Sequence, residues 1–151
     1  MIPKRIVLDT NVCLDLFVFR DARWSVLLAA MRSGEVEAVT RTDCRMEWQI
    51  VLGYTHLKLD ERRRQEVHAE FDTLIRCHPL ADPEPEACRL PVCKDKDDQK
   101  FLELARDLRA DTLITKDKAL LKLARKTRRD GLFAIVTPEA WTAEYRSACA
   151  Q

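Results

Sequence analysis

Two aspartates follow short apolar runs that are typical of buried strands. Asp9 comes directly after Ile6-Val7-Leu8, and Asp117 stands two residues beyond Leu113-Ile114-Thr115. An acid at the end of a buried strand is partly desolvated, which is unfavourable unless a hydrogen bond or a cation compensates the charge. Each aspartate could instead cap the helix that follows it, a common role of this residue type. Position alone leaves both interpretations open.

Further acids stand in predicted helices. Glu47 lies in a helical segment with apolar residues at i+3 and i+4, so it either flanks an inward-facing stripe or reaches solvent at its edge. Asp95, Asp97 and Asp98 cluster where another helix begins, and the helix dipole stabilises acids in a first turn without any further function. That explanation is sufficient for Asp95. Asp97 and Asp98 both have inward-facing residues three or four positions later, so spacing does not choose between them.

As a set, these carboxylates match the ligand preferences of a hard divalent cation. Mg²⁺ and Mn²⁺ prefer oxygen ligands and usually retain several water molecules. A pair of such ions about 4 Å apart can activate a water molecule and stabilise the leaving oxygen of a phosphodiester. Three or four converging carboxylates on a rigid frame would be needed to hold them, and the spacing of the acids suggests such a frame.

A basic segment begins beside Asp117. Residues 116–129 contain seven lysines and arginines and one acid, although the whole protein has a net charge of only +1. Such a concentration of positive charge is typical of contacts with phosphate groups, and the alternative is a solvated helix face. Backbone contacts of this kind position a nucleic acid without reading its sequence, and salt weakens them. The candidate phosphate contacts are Lys116, Lys118, Lys122, Arg125 and Lys126.

Strands and helices alternate along the chain. Apolar and β-branched runs predict strands at 5–8, 36–40, 112–115 and 133–136. Helical spacing predicts helices at 11–19, 22–34, 42–52, 60–77, 97–109 and 118–126 and from 137 onward, and the proline-rich segment 78–91 predicts a loop. This order predicts an α/β fold with a mainly parallel sheet, whose functional crevice lies at the carboxyl ends of the strands.

Length and composition predict a single domain over residues 1–151. The sequence contains no apolar run of roughly 18 or more residues and no secretory signal, so we expect a cytoplasmic protein that does not enter a membrane. The six cysteines form no CxxC pair and no zinc-ligand pattern with the three histidines. We therefore expect reduced thiols.

Five segments form a recognisable pattern: RIVLDTNV, EWQIVL, DKDDQKFLELA, ADTLITKDKALLKLA and FAIVTPEAW. In this order and spacing they resemble the PIN-domain family, in particular its bacterial branch of toxins from toxin–antitoxin pairs. The resemblance covers nearly the whole chain and implies a three-layer α/β/α fold. Two departures are visible: Lys96 stands where this branch usually has proline, and the segment 40–45 matches poorly.

The resemblance also implies roles for individual residues. The four acids implied as metal ligands and catalytic residues are Asp9, Glu47, Asp98 and Asp117. This alignment favours Asp98 over Asp97, which caps the helix instead. Asn11 and Thr115 correspond to polar residues that support the first and fourth acids. The implied cofactor is Mg²⁺ or Mn²⁺.

The implied activity is hydrolysis of RNA to products with 5′-phosphate and 3′-hydroxyl ends, with a cognate antitoxin as partner and a homodimeric assembly. One alternative is a catalytically silent PIN fold that binds RNA or protein through its basic face and shows no metal-dependent cleavage. A second is a phosphatase with an aspartyl nucleophile. Many such enzymes need another aspartate two residues after the first, where this sequence has Asn11.

Overall fold

The protein is built around a five-stranded sheet with strand order β3-β2-β1-β4-β5, in which all pairings are parallel. The computed structural model describes residues 3–150. The strands are β1 (Lys4–Leu8), β2 (Val36–Arg41), β3 (Ile75–His78), β4 (Thr112–Ile114) and β5 (Ala134–Val136). Leu8 at the end of β1 pairs with Ile114 at the end of β4. Because these strands end at the same edge of the sheet, the residues that follow them are neighbours in space.

Helices connect the strands and cover both faces of the sheet. They are α1 (Thr10–Cys13), α2 (Ser25–Ser33), α3 (Thr42–Leu52), α4 (Glu61–Leu74), α5 (Gln99–Asp107), α6 (Lys118–Leu121), α7 (Ala124–Arg129) and α8 (Pro138–Cys149). A π-helical turn, Leu14–Val18, extends α1, and 3₁₀ turns at Ala22–Trp24, Thr55–Leu57 and Lys96–Asp98 precede α2, α4 and α5. Within residues 3–150, no helix has the length and apolar character needed to cross a bilayer.

Each face of the sheet has its own apolar core. Successive residues of β1 point to opposite faces, so Ile6 and Leu8 pack with residues of α1 to α4 and α8, whereas Val7 packs with residues of α5 and α6. Trp48 and Phe71 stack in the first core with ring centroids 4.9 Å apart. The two apolar cores lie between three layers, with helices on either side of the central sheet. The predicted three-layer α/β/α fold with a parallel sheet is therefore confirmed.

The predicted helix over 60–77 is correct only as far as Leu74. The chain continues directly into β3, where Ile75 pairs with Ala38 of β2. Ile75 follows Phe71 by four positions, so its buried side chain fits helical spacing as well as a strand at the edge of the sheet. The backbone hydrogen bonds offered by β2 favour the strand, a long-range effect that local spacing does not reveal.

Smaller differences concern the ends of helices. The predicted helix 118–126 is divided at Lys122 and Leu123 into α6 and α7. Helix α8 begins as its sequence indicates, because Thr137 accepts a hydrogen bond from the Ala140 amide and Pro138 occupies the first turn. The six cysteines form no disulfide in the described structure, and three of them, Cys13, Cys44 and Cys93, are buried.

Candidate active site

The carboxyl ends of β1 and β4 bring Asp9 into contact with Thr115. Asp9 is 3 % exposed, and its two carboxylate oxygens accept different hydrogen bonds. Oδ1 accepts from the Val12 amide at 2.9 Å and thereby caps α1, while Oδ2 accepts from the hydroxyl of the buried Thr115. Helix capping therefore uses only one side of this carboxylate.

Three more carboxylates converge at the same edge of the sheet. One oxygen of each of Asp95, Asp98 and Asp117 lies within 4.8 Å of the others. Asp98 ends the 3₁₀ turn before α5, and Asp117 caps α6 while its own amide donates to Thr115 Oγ1 at 2.9 Å. Asp98 Oδ2 is buried and meets no hydrogen-bond donor within residues 3–150. The group thus combines closely spaced oxygen atoms with one that is unsatisfied.

A pocket of about 230 Å³ unites the acids named from the sequence. Its lining residues are Asp9, Thr10, Asn11, Leu14, Glu47, Val51, Tyr54, His56, Asp98, Phe101 and Asp117. Asn11 faces this pocket, whereas Thr115 is fully buried behind Asp9. Asp97 is exposed and does not line the pocket, so the geometry separates it from Asp98. Asp95, for which the sequence favoured a purely structural role, caps the 3₁₀ turn and also approaches the other acids.

Glu47 reaches the pocket from α3, and both of its carboxylate oxygens are engaged. Oε2 accepts from the Thr10 hydroxyl, and Oε1 lies 2.9 Å from the ammonium of Lys100 on α5. The same ammonium donates to the backbone carbonyl of Asp97 and lies 5.4 Å from the centre of the Phe101 ring. Sequence reasoning missed Thr10 and Lys100, because they are 37 and 53 positions away from Glu47.

Burial and mutual repulsion change the pKa of three acids in the pocket. Desolvation raises the pKa of Asp9 to about 6, although the hydrogen bond from Thr115 partly offsets this effect. Desolvation and then the neighbouring Asp117 raise the pKa of Asp98 to about 7. The pKa of Asp117 is lowered, chiefly through its close interaction with the carboxyl of Asp98. A bound cation would compensate the same charge.

The basic residues proposed from the sequence lie outside the pocket. The ammonium of Lys116 is 2.6 Å from the carboxylate of the buried Asp15 and is therefore already paired. The remaining four are exposed on or between α6 and α7 and form no salt bridge within the described part of the chain: Lys118, Lys122, Arg125 and Lys126. They are available to a ligand, but they do not touch the acids.

Two ring side chains that sequence reasoning did not select border the pocket. Tyr54 and His56 lie between α3 and α4, with their ring centroids 5.8 Å apart. Both residues are exposed. Their sequence offers no signal for this position, because only the packing of α3 against α1 brings them beside the acids.

Comparison with known proteins agrees with this geometry. The sequence profile of the PIN domain matches residues 5–119. No protein of curated function matches the sequence significantly. The fold is similar to a chain in the crystal structure of VapBC2 from Rickettsia felis bound to a DNA fragment from their promoter, with a TM-score of 0.57 and 14 % identity over 88 % of this chain and 98 % of that one. At that identity the similarity concerns the fold alone.

The extent of the profile match decides the family. It begins within β1 and ends within α6, so it contains every acid of the pocket, whereas most of the basic segment lies beyond it. Since it spans most of the chain and the sheet has the expected architecture, the protein belongs to the PIN-domain family.

Proposed function

We propose that this protein is a metal-dependent endoribonuclease that hydrolyses phosphodiester bonds of RNA. The observation that carries the proposal is the convergence of Asp9, Glu47, Asp98 and Asp117 on one pocket at the carboxyl edge of the sheet. Functional sites of parallel α/β proteins lie at this edge. The acids come from four separate segments, and helix capping does not explain why all of them face one another.

The donor atoms of the pocket fit a hard divalent cation. Oxygens of Asp95, Asp98 and Asp117 lie within 4.8 Å of one another, and Asp98 Oδ2 is buried without a donor in the described chain. A set of carboxylates favours Mg²⁺ or Mn²⁺ over softer metals. Asp98 and Asp117 would hold the ion, with Asp95 within reach and Asp9 on the adjoining wall.

The chain's own residues orient the carboxylates before any ligand binds. Thr115 fixes Asp9, while Thr10 and Lys100 hold the two oxygens of Glu47. A cation bound in the pocket would supply Lewis-acid activation of water and offset the charge of the phosphodiester. By family resemblance, water adds at phosphorus and the bond to the 3′ oxygen breaks, which leaves 5′-phosphate and 3′-hydroxyl ends.

The exposed basic residues would contact the RNA backbone. Helix α6 begins directly after Asp117, so Lys118, Lys122, Arg125 and Lys126 follow the pocket along the chain. Lys116 has less freedom because Asp15 holds its ammonium. These contacts would position the backbone without reading the bases. Asn11, which is exposed and lines the pocket, offers amide hydrogens to a phosphate oxygen.

We further propose that the protein acts in the cytoplasm as the toxin of a toxin–antitoxin pair. A cognate antitoxin would cover the acidic pocket, and the toxin would form a homodimer. The resemblance of the sequence to the toxin branch of the family carries this part of the proposal. The likeness of fold to a chain of the VapBC2 structure supports it at the level of architecture.

The test is cleavage of end-labelled single-stranded RNA by the purified protein in the presence of Mn²⁺, Mg²⁺ or EDTA. We expect cleavage with an added ion, none in EDTA, and a loss of about 100-fold or more in Asp9→Asn, because the first acid is removed while its size is kept. Equal cleavage by both proteins would contradict the site. Binding of RNA without cleavage under any condition would favour a silent PIN fold.

A further inference from the structure

We propose that Lys100 is a positioning residue that takes the place of a second cation. Its ammonium neutralises and holds Glu47, so the pocket accepts one divalent ion, on the side of Asp98 and Asp117. The inference rests on the proposed function and deepens it, because it specifies how many ions the nuclease uses and assigns different roles to its acids.

Both carboxylate oxygens of Glu47 already have a partner within the chain. Oε1 is 2.9 Å from the Lys100 ammonium, and Oε2 accepts from the Thr10 hydroxyl. The Lys100 side chain is only 20 % exposed and has a second acceptor in the Asp97 carbonyl. The ammonium of Lys100 is thus held between two oxygen acceptors, one of them a carboxylate.

The opposite side of the pocket has no such balance. Asp95, Asp98 and Asp117 approach one another within 4.8 Å, and Glu47 is not part of this group. Within residues 3–150, none of the three forms a salt bridge with a lysine or arginine. Asp98 Oδ2 is buried and lacks a donor. The unbalanced negative charge, and with it the demand for a cation, lies on this side.

A second ion at Glu47 would have to displace the lysine. Two positive charges cannot share one carboxylate at hydrogen-bond distance without strong repulsion, and the displaced ammonium would lose its partner in a mostly buried position. Lys100 therefore does two things in the empty and the loaded pocket alike. It orients Glu47 toward the pocket, and it excludes a further divalent ion from that carboxylate.

The experiment is a titration of the metal-free full-length protein with Mn²⁺ near neutral pH. Binding is measured by calorimetry and, independently, by the electron paramagnetic resonance signal of free Mn²⁺. We expect one ion per chain in the wild type and in Glu47→Gln. Asp98→Asn should bind the ion at least about tenfold more weakly. Lys100→Met should free Glu47 and bind a second ion, and Lys100→Arg should restore a stoichiometry of one because the ion pair is kept.

Two ions per wild-type chain, reduced to one in Glu47→Gln, would overturn the inference and leave the nuclease proposal intact. A stoichiometry of one in a folded Lys100→Met variant would also overturn it. Absence of Mn²⁺ binding by the wild type would instead contradict the proposed function. If Lys100→Met does not fold, as judged by circular dichroism, the comparison of the wild type with Glu47→Gln still decides.

Discussion

Two groups of charged side chains lie at the carboxyl ends of neighbouring strands, and their charges are balanced differently. At the end of β2, Arg41 is 6 % exposed and lies 2.7 Å from Asp43, 3.1 Å from Glu103 and 3.7 Å from Asp107. At the ends of β1 and β4, acids converge around the pocket, and within residues 3–150 a single lysine ammonium contacts them, at Glu47. Within the described residues, the charges of the first group are balanced by one another, and those of the second group are not.

The pKa shifts of Asp9 and Asp98 in the pocket are opposite in direction to that of Asp43 in the arginine network, whereas Asp117 is lowered by its interaction with Asp98. The hydrogen bonds from Arg41 hold the pKa of Asp43 below its ordinary value. Burial raises the pKa of Asp9 to about 6, and burial together with Asp117 raises that of Asp98 to about 7. A balanced group supports the fold, whereas an unbalanced one reduces stability and is typical of a functional site. The contrast therefore favours the pocket over the arginine network for the proposed cation.

The largest effect should come from breaking the balanced group. We expect Arg41→Met to lower the free energy of unfolding by about 3–5 kcal/mol. The substitution removes the buried guanidinium that pairs with Asp43, Glu103 and Asp107. Urea denaturation measures the change. Arg62→Ala is a suitable control, since that side chain is 90 % exposed, and it should change stability by less than about 1 kcal/mol. Equal effects of the two substitutions would contradict a structural role for the arginine network.

Removing an unbalanced charge should have the opposite sign. In EDTA, we expect Asp9→Asn to be more stable than the wild type near neutral pH, by up to about 3 kcal/mol. The folded protein binds the Asp9 proton more tightly than the unfolded chain does, so protonation of Asp9 stabilises the fold. The wild type loses this stabilisation as the pH rises from about 4 to about 6, whereas Asp9→Asn has no such proton to lose. Urea denaturation at several pH values in that range measures the difference in free energy of unfolding between Asp9→Asn and the wild type, and this difference should increase with pH. A difference that decreases with pH would contradict the conclusion that burial raises the pKa of Asp9.

A divalent ion should relieve the same charge in the wild type. At about 100 times its dissociation constant, Mn²⁺ should stabilise the protein by about 2.7 kcal/mol, visible as a higher melting temperature. Asp98→Asn should lose most of this stabilisation, and Asp97→Asn, altered at an exposed position next to it, should keep it. The same stabilisation in both variants would place the ion elsewhere.

The smallest effect concerns the basic face. In an Asp98→Asn background in EDTA, where we expect no cleavage, Lys122→Ala with Arg125→Ala should reduce the slope of log affinity against log salt by about 1.4. Two phosphate contacts to a single strand are then lost. Fluorescence anisotropy at several salt concentrations gives the slope. A charge-matched pair, Arg62→Ala with Arg76→Ala, should leave it unchanged. If both pairs of substitutions change the slope equally, the basic residues of α6 and α7 do not form a specific binding surface for the RNA backbone.

Local patterns in the sequence were sufficient for most of the fold. Apolar, β-branched runs marked four of the five strands, and the position of Asp9 and Asp117 after two of them placed both acids at one edge. Strand β3 was missed because Ile75 suits a helix equally well, and only pairing with β2 decides. The choice of Asp98 over Asp97 depended on family resemblance, since both fit the helical spacing.

The balance of charge could not be read from the sequence. Lys100 meets Glu47 across 53 positions, and Arg41 meets Glu103 across 62. Neither lysine nor arginine has a local signature for such a contact, because the partners are brought together by the packing of α3, α5 and the sheet. Sequence patterns thus located the acids, and the folded chain was needed to see which of them lack a counter-charge.

The measurement that bears most directly on the central claim is the rate at which the wild type, Asp98→Asn and Asp97→Asn cut one single-stranded RNA in Mn²⁺ and in EDTA. The two variants remove the same charge at adjacent positions, one facing the pocket and the other solvent. We predict Mn²⁺-dependent cleavage by the wild type and Asp97→Asn, and a loss of about 100-fold or more in Asp98→Asn. Cleavage that persists in Asp98→Asn, or that does not require the ion, would contradict a metal-dependent nuclease centred on this pocket.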